Sequence, residues 1–186
     1  MQLTMTTPPS SDPVTLTEAK EAARVEHTDD DVFIAGLVDA AAEHVQAVLG
    51  RQLMPATFEL SLGGFPSSGR LALPRSPVSE VLSINYRDPD GALQTFDDFL
   101  FWAHVDAPFV TPKTWWPATA HQPDAVVVEF VAGFPAGQLP ARARTIILQL
   151  VAHWYEHREP AVAGAVAEVP HHITRLINST RNWALA

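Results

Sequence analysis

The chain has 186 residues, of which 47% are hydrophobic, so a single domain with a sizeable core is expected. It contains no cysteine, which excludes disulfides and thiolate metal sites. The net charge is −9 and the only lysines are Lys20 and Lys113, a composition that argues against a protein gripping a nucleic-acid backbone.

The first segment, residues 1–13, is rich in Thr, Ser and Pro, and we expect it to be disordered. It lacks the charged and apolar regions of a signal peptide. No later run approaches the roughly 20 apolar residues of a membrane span, so no membrane association is expected.

Two helices are predicted next. The run from Thr15 to Glu18 has the pattern of a capping box and begins a helix over residues 15–24. A second helix is predicted over residues 29–49, with a cap at Thr28, three aspartates at its positive end, and Gly50 in the left-handed C-terminal position. Its predicted apolar stripe consists of Phe33, Ile34, Leu37, Val38, Ala41, Val45, Val48 and Leu49.

Residues 51–138 predict an antiparallel β-unit inserted between helices, because they hold ten of the 16 prolines and six of the nine glycines. The turn Asp88-Pro89-Asp90-Gly91 predicts a hairpin between residues 81–87 and 92–96. Alternation and turn residues predict strands over 57–62, 70–73, 78–87, 93–96, 99–102, 109–111 and 125–132.

A long closing helix is predicted over residues 140–159, since Pro140 suits a first helical turn and Pro160 ends the helix. Its predicted core residues are Ile147, Leu150, Val151, Trp154 and Tyr155. Residues 161–186 are expected to be a flexible tail with a short helix over 170–182. The fold class is therefore α+β: a small helical bundle over residues 14–160 of two N-terminal helices and one long C-terminal helix, with the inserted β-unit.

One motif could carry catalysis. His153-Trp154-Tyr155-Glu156-His157 matches H-x-x-E-H, in which two histidines on one helix face bind zinc and the glutamate activates water. The pattern is short, and nothing marks a third ligand among Glu159, Glu168, His171 and His172. A structural helix with Trp154 and Tyr155 turned inward explains the same residues, and we prefer it.

Other candidates favour structural explanations. Asp29-Asp30-Asp31 lacks the spaced ligands of a calcium loop and fits helix-start electrostatics. The pair Trp115-Trp116 either caps a core or forms the exposed patch of a small β-rich binding module. No phosphate-binding loop or dinucleotide fingerprint is present, so no cofactor is predicted.

Charge is uneven along the chain: acids predominate in residues 1–50 and arginines in residues 140–186. An ordinary solvated surface explains this distribution. Alternatively, one end of a subunit contacts the other end of its neighbour, as in a ring.

Four blocks, in order, resemble the head–tail connector (adaptor) proteins of tailed phages and gene transfer agents. They are residues 14–51, residues 71–91, the strand over 126–133 and the closing helix over 139–156. The resemblance spans about residues 14–160, with gaps over 94–123.

This resemblance implies a structural protein without catalytic residues. It implies a ring of about a dozen copies beneath the portal, extending a channel through which DNA passes without sequence-specific binding. The expected partners are the portal, a stopper or tail-completion protein and neighbouring copies, at the head–tail junction of a particle assembled in the bacterial cytoplasm. The predicted portal-docking residues are Ile173, Arg175, Leu176, Ile177, Arg181 and Trp183.

Overall fold

A computed structural model describes residues 1–104, 107–135, 137–157 and 175. The chain divides into two compact units. One, the β-unit, comprises Met1–Ser10 and Met54–Ala136, and the other, the helical unit, comprises Ser11–Leu53 and Gly137–Ala186. Helices and antiparallel strands are thus segregated, and the predicted α+β class is confirmed.

The β-unit contains eight strands in two antiparallel sheets within the described residues. They are β1 (Gln2–Thr7), β2 (Ala56–Leu62), β3 (Leu71–Ala72), β4 (Val78–Arg87), β5 (Leu93–Thr95), β6 (Phe99–Trp102), β7 (Phe109–Pro112) and β8 (Val126–Ala132). The larger sheet has the order β1-β2-β8-β4-β5 and the smaller has the order β3-β7-β6. Each predicted strand therefore has an observed counterpart, and the predicted hairpin is the β4–β5 pair.

Strand β8 organises the core of the β-unit, because it lies in the middle of the larger sheet and alternate residues along it are buried. Phe130 of β8 lies opposite Phe58 of β2, and their rings stack with centroids 5.8 Å apart. The buried cluster around them consists of Ala56, Phe58, Leu60, Leu71, Leu73, Val78, Ile84, Val110, Val126, Val128, Phe130 and Ala132.

The prediction that residues 1–13 are disordered is wrong for strand β1. Residues Gln2–Thr7 pair with β2 in antiparallel register, with Leu3 opposite Leu60. The six residues carry no charge and no proline, so they suit an edge strand. The unpaired backbone groups of β2 provide their hydrogen-bond partners. The β-unit is consequently not a simple insertion, since its first strand precedes the helices.

The helical unit contains α1 (Leu16–Ala23), α2 (Asp31–Leu49) and α3 (Ala141–Glu156). The predicted capping box is present, since the Thr15 hydroxyl accepts from the Glu18 amide and the Glu18 carboxylate accepts from the Thr15 amide. Gly50 occupies the left-handed position after α2, with φ of 66°. The N-cap of α2 is Asp30 rather than Thr28, and no side chain caps it.

The last helix ends earlier than the predicted residue 159. His157 has left the helical conformation; its backbone N–H still donates to the His153 carbonyl oxygen, and its ring Nδ1 lies 2.9 Å from the same oxygen. Ala143, Ile146, Ile147, Leu150 and Val151 of α3 are buried, whereas Trp154 and Tyr155 are half-buried. Among the described residues, Arg175 alone represents the predicted helix over 170–182, and it is helical.

Helix α2 corrects one expectation about composition. Its length and apolar content are those of a membrane-spanning helix, although the expectation was that no stretch comes close. The core helix of a globular protein has the same length and apolar content. Ile34, Val38, Ala41 and Val45 of α2 are in fact buried within the protein.

Candidate functional site

The end of α3 carries the H-x-x-E-H residues. The rings of His153 and His157 lie with their centroids 4.3 Å apart, and Glu156 and His157 are exposed. Within the described ranges, no three His, Asp or Glu side chains come together as a possible metal site. Glu159, Glu168, His171 and His172 lie outside those ranges. The two histidines are thus neighbours, as the spacing predicted, but the described chain supplies no third ligand.

Polar contacts join the three helices at the beginning of α2. The Lys20 Nζ lies 2.6 Å from Asp31 Oδ1, and the Tyr155 hydroxyl donates to Asp30 Oδ2 over 2.6 Å. Glu18 and Arg144 form a further ion pair between α1 and α3. Asp30 and Asp31, at the start of α2, therefore contact the other helices as well as placing negative charge at the helix start, a role that sequence spacing could not reveal.

Aromatic contacts join α3 to α2 alongside these polar groups. The Tyr155 ring lies 6.3 Å from that of Phe33, and the Trp154 ring meets His44 edge-on at 6.2 Å. The Trp154 Nε1 is buried and has no hydrogen-bond partner in the described part of the chain. Trp154 and Tyr155 thus turn toward α2, which agrees with the structural explanation of the motif.

The two adjacent tryptophans of the β-unit have different environments. The Trp116 ring stacks on Phe65 at 4.4 Å and packs against the core cluster, whereas Trp115 is 86% exposed. Both line an open cavity of about 870 Å³ together with the glycine-rich loop over 63–69. Each of the two predicted alternatives therefore describes one residue of the pair. Trp116 caps the core, and Trp115 faces solvent.

The outer surface of α2 was missed at the sequence level. Val32 is 88% exposed and Phe33 is 44% exposed, although Phe33 was predicted in the apolar stripe. Ile34, one residue further on, points inward instead, so the stripe rotates away from Phe33. The signal available was Val32, an apolar residue outside the predicted stripe.

Of the six predicted portal-docking residues, the structure describes one, Arg175. Ile173, Leu176, Ile177, Arg181 and Trp183 lie outside the described residues. Arg175 is exposed.

Residues 13–94 match the sequence model of the phage gp6-like head–tail connector proteins. This segment is thus similar to the head–tail connector proteins. The match covers α1, α2 and the strands through the β4–β5 turn, so it includes two of the four blocks that carried the resemblance. The family's description names a head–tail connector, which is the kind of protein that the sequence resembles.

Solved structures resemble nearly the whole chain. One is a chain from the neck of an empty gene transfer agent particle, computed with C6 symmetry. It is 20% identical over 96% of this chain and 94% of its own, with a TM-score of 0.79. Chains from the virion of a native particle and from a native neck computed with C12 symmetry have the same identity and coverage, with TM-scores of 0.79 and 0.77. At this identity the likeness establishes the fold. No curated protein matches the chain.

Proposed function

We propose that this chain is a structural head–tail connector subunit of a phage or phage-like particle. In this role it forms a ring beneath the portal, extends the DNA channel and joins head to tail. The observation that carries the proposal is the family match over residues 13–94, together with a fold shared over 96% of the chain with components of gene transfer agent particles.

The helical unit suits the body of such a ring. Three helices are tied by the Glu18–Arg144 and Lys20–Asp31 ion pairs and by the Tyr155–Asp30 hydrogen bond. A subunit that must keep its shape while its neighbours and partners are added benefits from such cross-links. The C12 symmetry applied to one similar neck supports a ring of about a dozen copies.

The charge of the chain suits a passage for DNA. With a net charge of −9 and only two lysines, the chain as a whole repels phosphates more than it attracts them. DNA would therefore slide past without being held. Contact with the portal is assigned to the segment after α3. The residues that would make it are Ile173, Arg175, Leu176, Ile177 and Arg181.

Electron microscopy of purified particles tests the proposal. A tagged copy of the full chain is expected as a ring between head and tail, and deletion of its gene should leave DNA-filled heads without tails. Particles with normal necks that lack this chain would contradict the proposal.

A truncation tests the portal-docking segment separately. Removing residues 170–186 should leave a folded subunit that no longer enters particles, because the docking side chains are gone. The matched control replaces only Arg175 with Ala, which should reduce incorporation less, since the apolar residues remain. Normal incorporation of the truncated chain would refute this docking.

A further inference from the structure

The outward surface of α2 is unusually apolar for a helix in contact with water. Although the helix has the apolar content of a membrane span, only 28% of an 18-residue window of it is buried. We name its exposed residues the α2 outer face: Val32, Phe33, Ala35, Gly36, Asp39, Ala40, Glu43 and Ala47. Six of these eight carry no charge or hydrogen-bonding side chain. A largely apolar surface of this kind indicates a partner.

Two carboxylates interrupt this apolar surface. Asp39 and Glu43 are four residues apart, so they lie side by side on the helix, where like charges repel. Neither forms an ion pair with any residue that the structure describes. Two carboxylates in the middle of the face make a lipid bilayer an unfavourable partner, and they also oppose packing of the face against itself. The partner should therefore be a protein surface with a cation.

Helix α3 presents such a surface. Arg142, Thr145 and Gln149 are exposed and spaced by three and four residues, which places them on one side of the helix; we name them the α3 outer face. Arg142 lies in the first turn, where a cation opposes the helix dipole, and that turn contains no acidic residue. Its neighbour Arg144 is compensated by Glu18, whereas Arg142 has no ion-pair partner in the described ranges.

We propose that the α2 outer face of one copy packs against the α3 outer face of the next copy, with Asp39 and Glu43 beside Arg142. This inference rests on the proposed ring. Contacts around a ring join two different surfaces of the subunit, and here one surface carries two carboxylates and the other carries the cation of Arg142. The small side chains Ala35, Gly36 and Ala40 let the two helices approach closely. The contact pairs two carboxylates of the acidic segment over 1–50 with one arginine of the segment over 140–186.

Disulfide cross-linking in assembled particles tests the contact, and the absence of cysteine from the chain makes the background clean. The variant carries Ala40→Cys on α2 and Thr145→Cys on α3. Oxidation should link successive copies and give a ladder of multiples of the subunit mass on a non-reducing gel. The matched control, Glu80→Cys with Thr145→Cys, places the first cysteine on exposed β4 and should give no ladder.

The outcomes separate the contact from the ring itself. Particles that contain the cysteine variant without a ladder would overturn the contact and leave the ring intact. Dimers formed by Ala40→Cys alone would also overturn it, because they indicate that α2 faces its own copy. If the wild-type chain is missing from particle necks, the proposed function fails instead.

Charge reversal provides an independent test if the cysteine variants assemble poorly. Asp39→Arg with Glu43→Arg should lower incorporation into particles by about tenfold or more, since a cation would then face Arg142. Adding Arg142→Glu should restore incorporation, while Glu80→Arg should leave it unchanged. Circular dichroism establishes that each variant is folded. Wild-type incorporation of the Asp39→Arg, Glu43→Arg variant would overturn the proposal, and so would flotation of the wild-type chain with phosphatidylcholine vesicles.

Discussion

Tyr155 and Asp30 are 125 residues apart in the sequence, yet the tyrosine hydroxyl donates to Asp30 Oδ2 at 2.6 Å. The bond joins the last turn of α3 to the residue that precedes α2. A short bond to a charged acceptor is among the stronger hydrogen bonds in proteins, and this one is partly buried. It therefore holds the end of the closing helix against the N-terminal helices, at the point from which the chain continues toward its predicted docking segment.

Tyr155→Phe should destabilise the chain by about 1–3 kcal/mol, because Asp30 loses a donor while the ring packing is kept. Chemical denaturation followed by circular dichroism measures the loss. Tyr86→Phe is the matched control: Tyr86 is the other tyrosine, it lies in β4, and no hydrogen bond of its hydroxyl is present among the described residues. A loss that is equal in both variants would contradict a specific role for the Tyr155 bond.

Gly133, just after β8, should not tolerate a side chain. Its φ of 124° is strained for other residues, and an added Cβ would overlap the Met54 carbonyl and lie 2.7 Å from the Pro55 nitrogen. Gly133→Ala should therefore cost about 3 kcal/mol or more.

Gly36 provides the opposite case for the same substitution. It lies within α2, and an added Cβ would meet nothing within 4 Å. Gly36→Ala should stabilise the isolated chain by about 0.5–1 kcal/mol, because alanine favours helix. Thermal unfolding of both variants provides the comparison, and a stable Gly133→Ala variant would show that the backbone there adjusts.

Local chemistry determined which features could be predicted from sequence. The Thr15–Glu18 capping box, the Gly50 cap and the Asp88–Gly91 turn each involve residues within a few positions, so their patterns are visible in the sequence. Strand β1 was missed because its partner β2 begins about fifty residues later. Long-range pairing of this kind depends on the whole sheet and leaves a weak local signal.

The candidate surfaces show the same contrast between local patterns, which the sequence predicts, and tertiary packing, which it does not. The spacing of His153 and His157 correctly predicted that their rings are neighbours. Whether Phe33 is buried depends on how α2 rotates against α3, which a broad apolar stripe does not determine. The different exposures of Trp115 and Trp116 depend on the loop that brings Phe65 over one ring. The periodicity of the local sequence does not determine the exposure of Phe33, Trp115 or Trp116.

The pair His153 and His157 should not hold stoichiometric zinc, because the His157 ring is turned back on the end of the helix, with Nδ1 2.9 Å from the His153 carbonyl oxygen. Elemental analysis of chelator-free protein measures the content, and His157→Ala should leave it unchanged. His121→Ala controls for loss of any histidine. Zinc at one atom per chain that disappears only in His157→Ala would favour the hydrolase alternative.

The β4–β5 turn should loosen in acid, because the pKa of Asp88 is held below its ordinary value near 3.8. The main cause is the hydrogen bond from the Gln94 side chain, aided by the backbone amides of Ala92, Asp90 and Gly91. A depressed pKa in the folded state adds stability above the ordinary value, and that stability is lost as pH falls through the folded pKa.

Amide NMR signals of Ala92 and Gln94 should therefore shift together below about pH 4. Asp88→Asn should abolish this transition, since the side chain no longer titrates, while its amide oxygen can still accept from the turn. Asp90→Asn is the matched control and should keep the transition, because its backbone amide still donates to Asp88. A transition that persists in Asp88→Asn would assign it to another group.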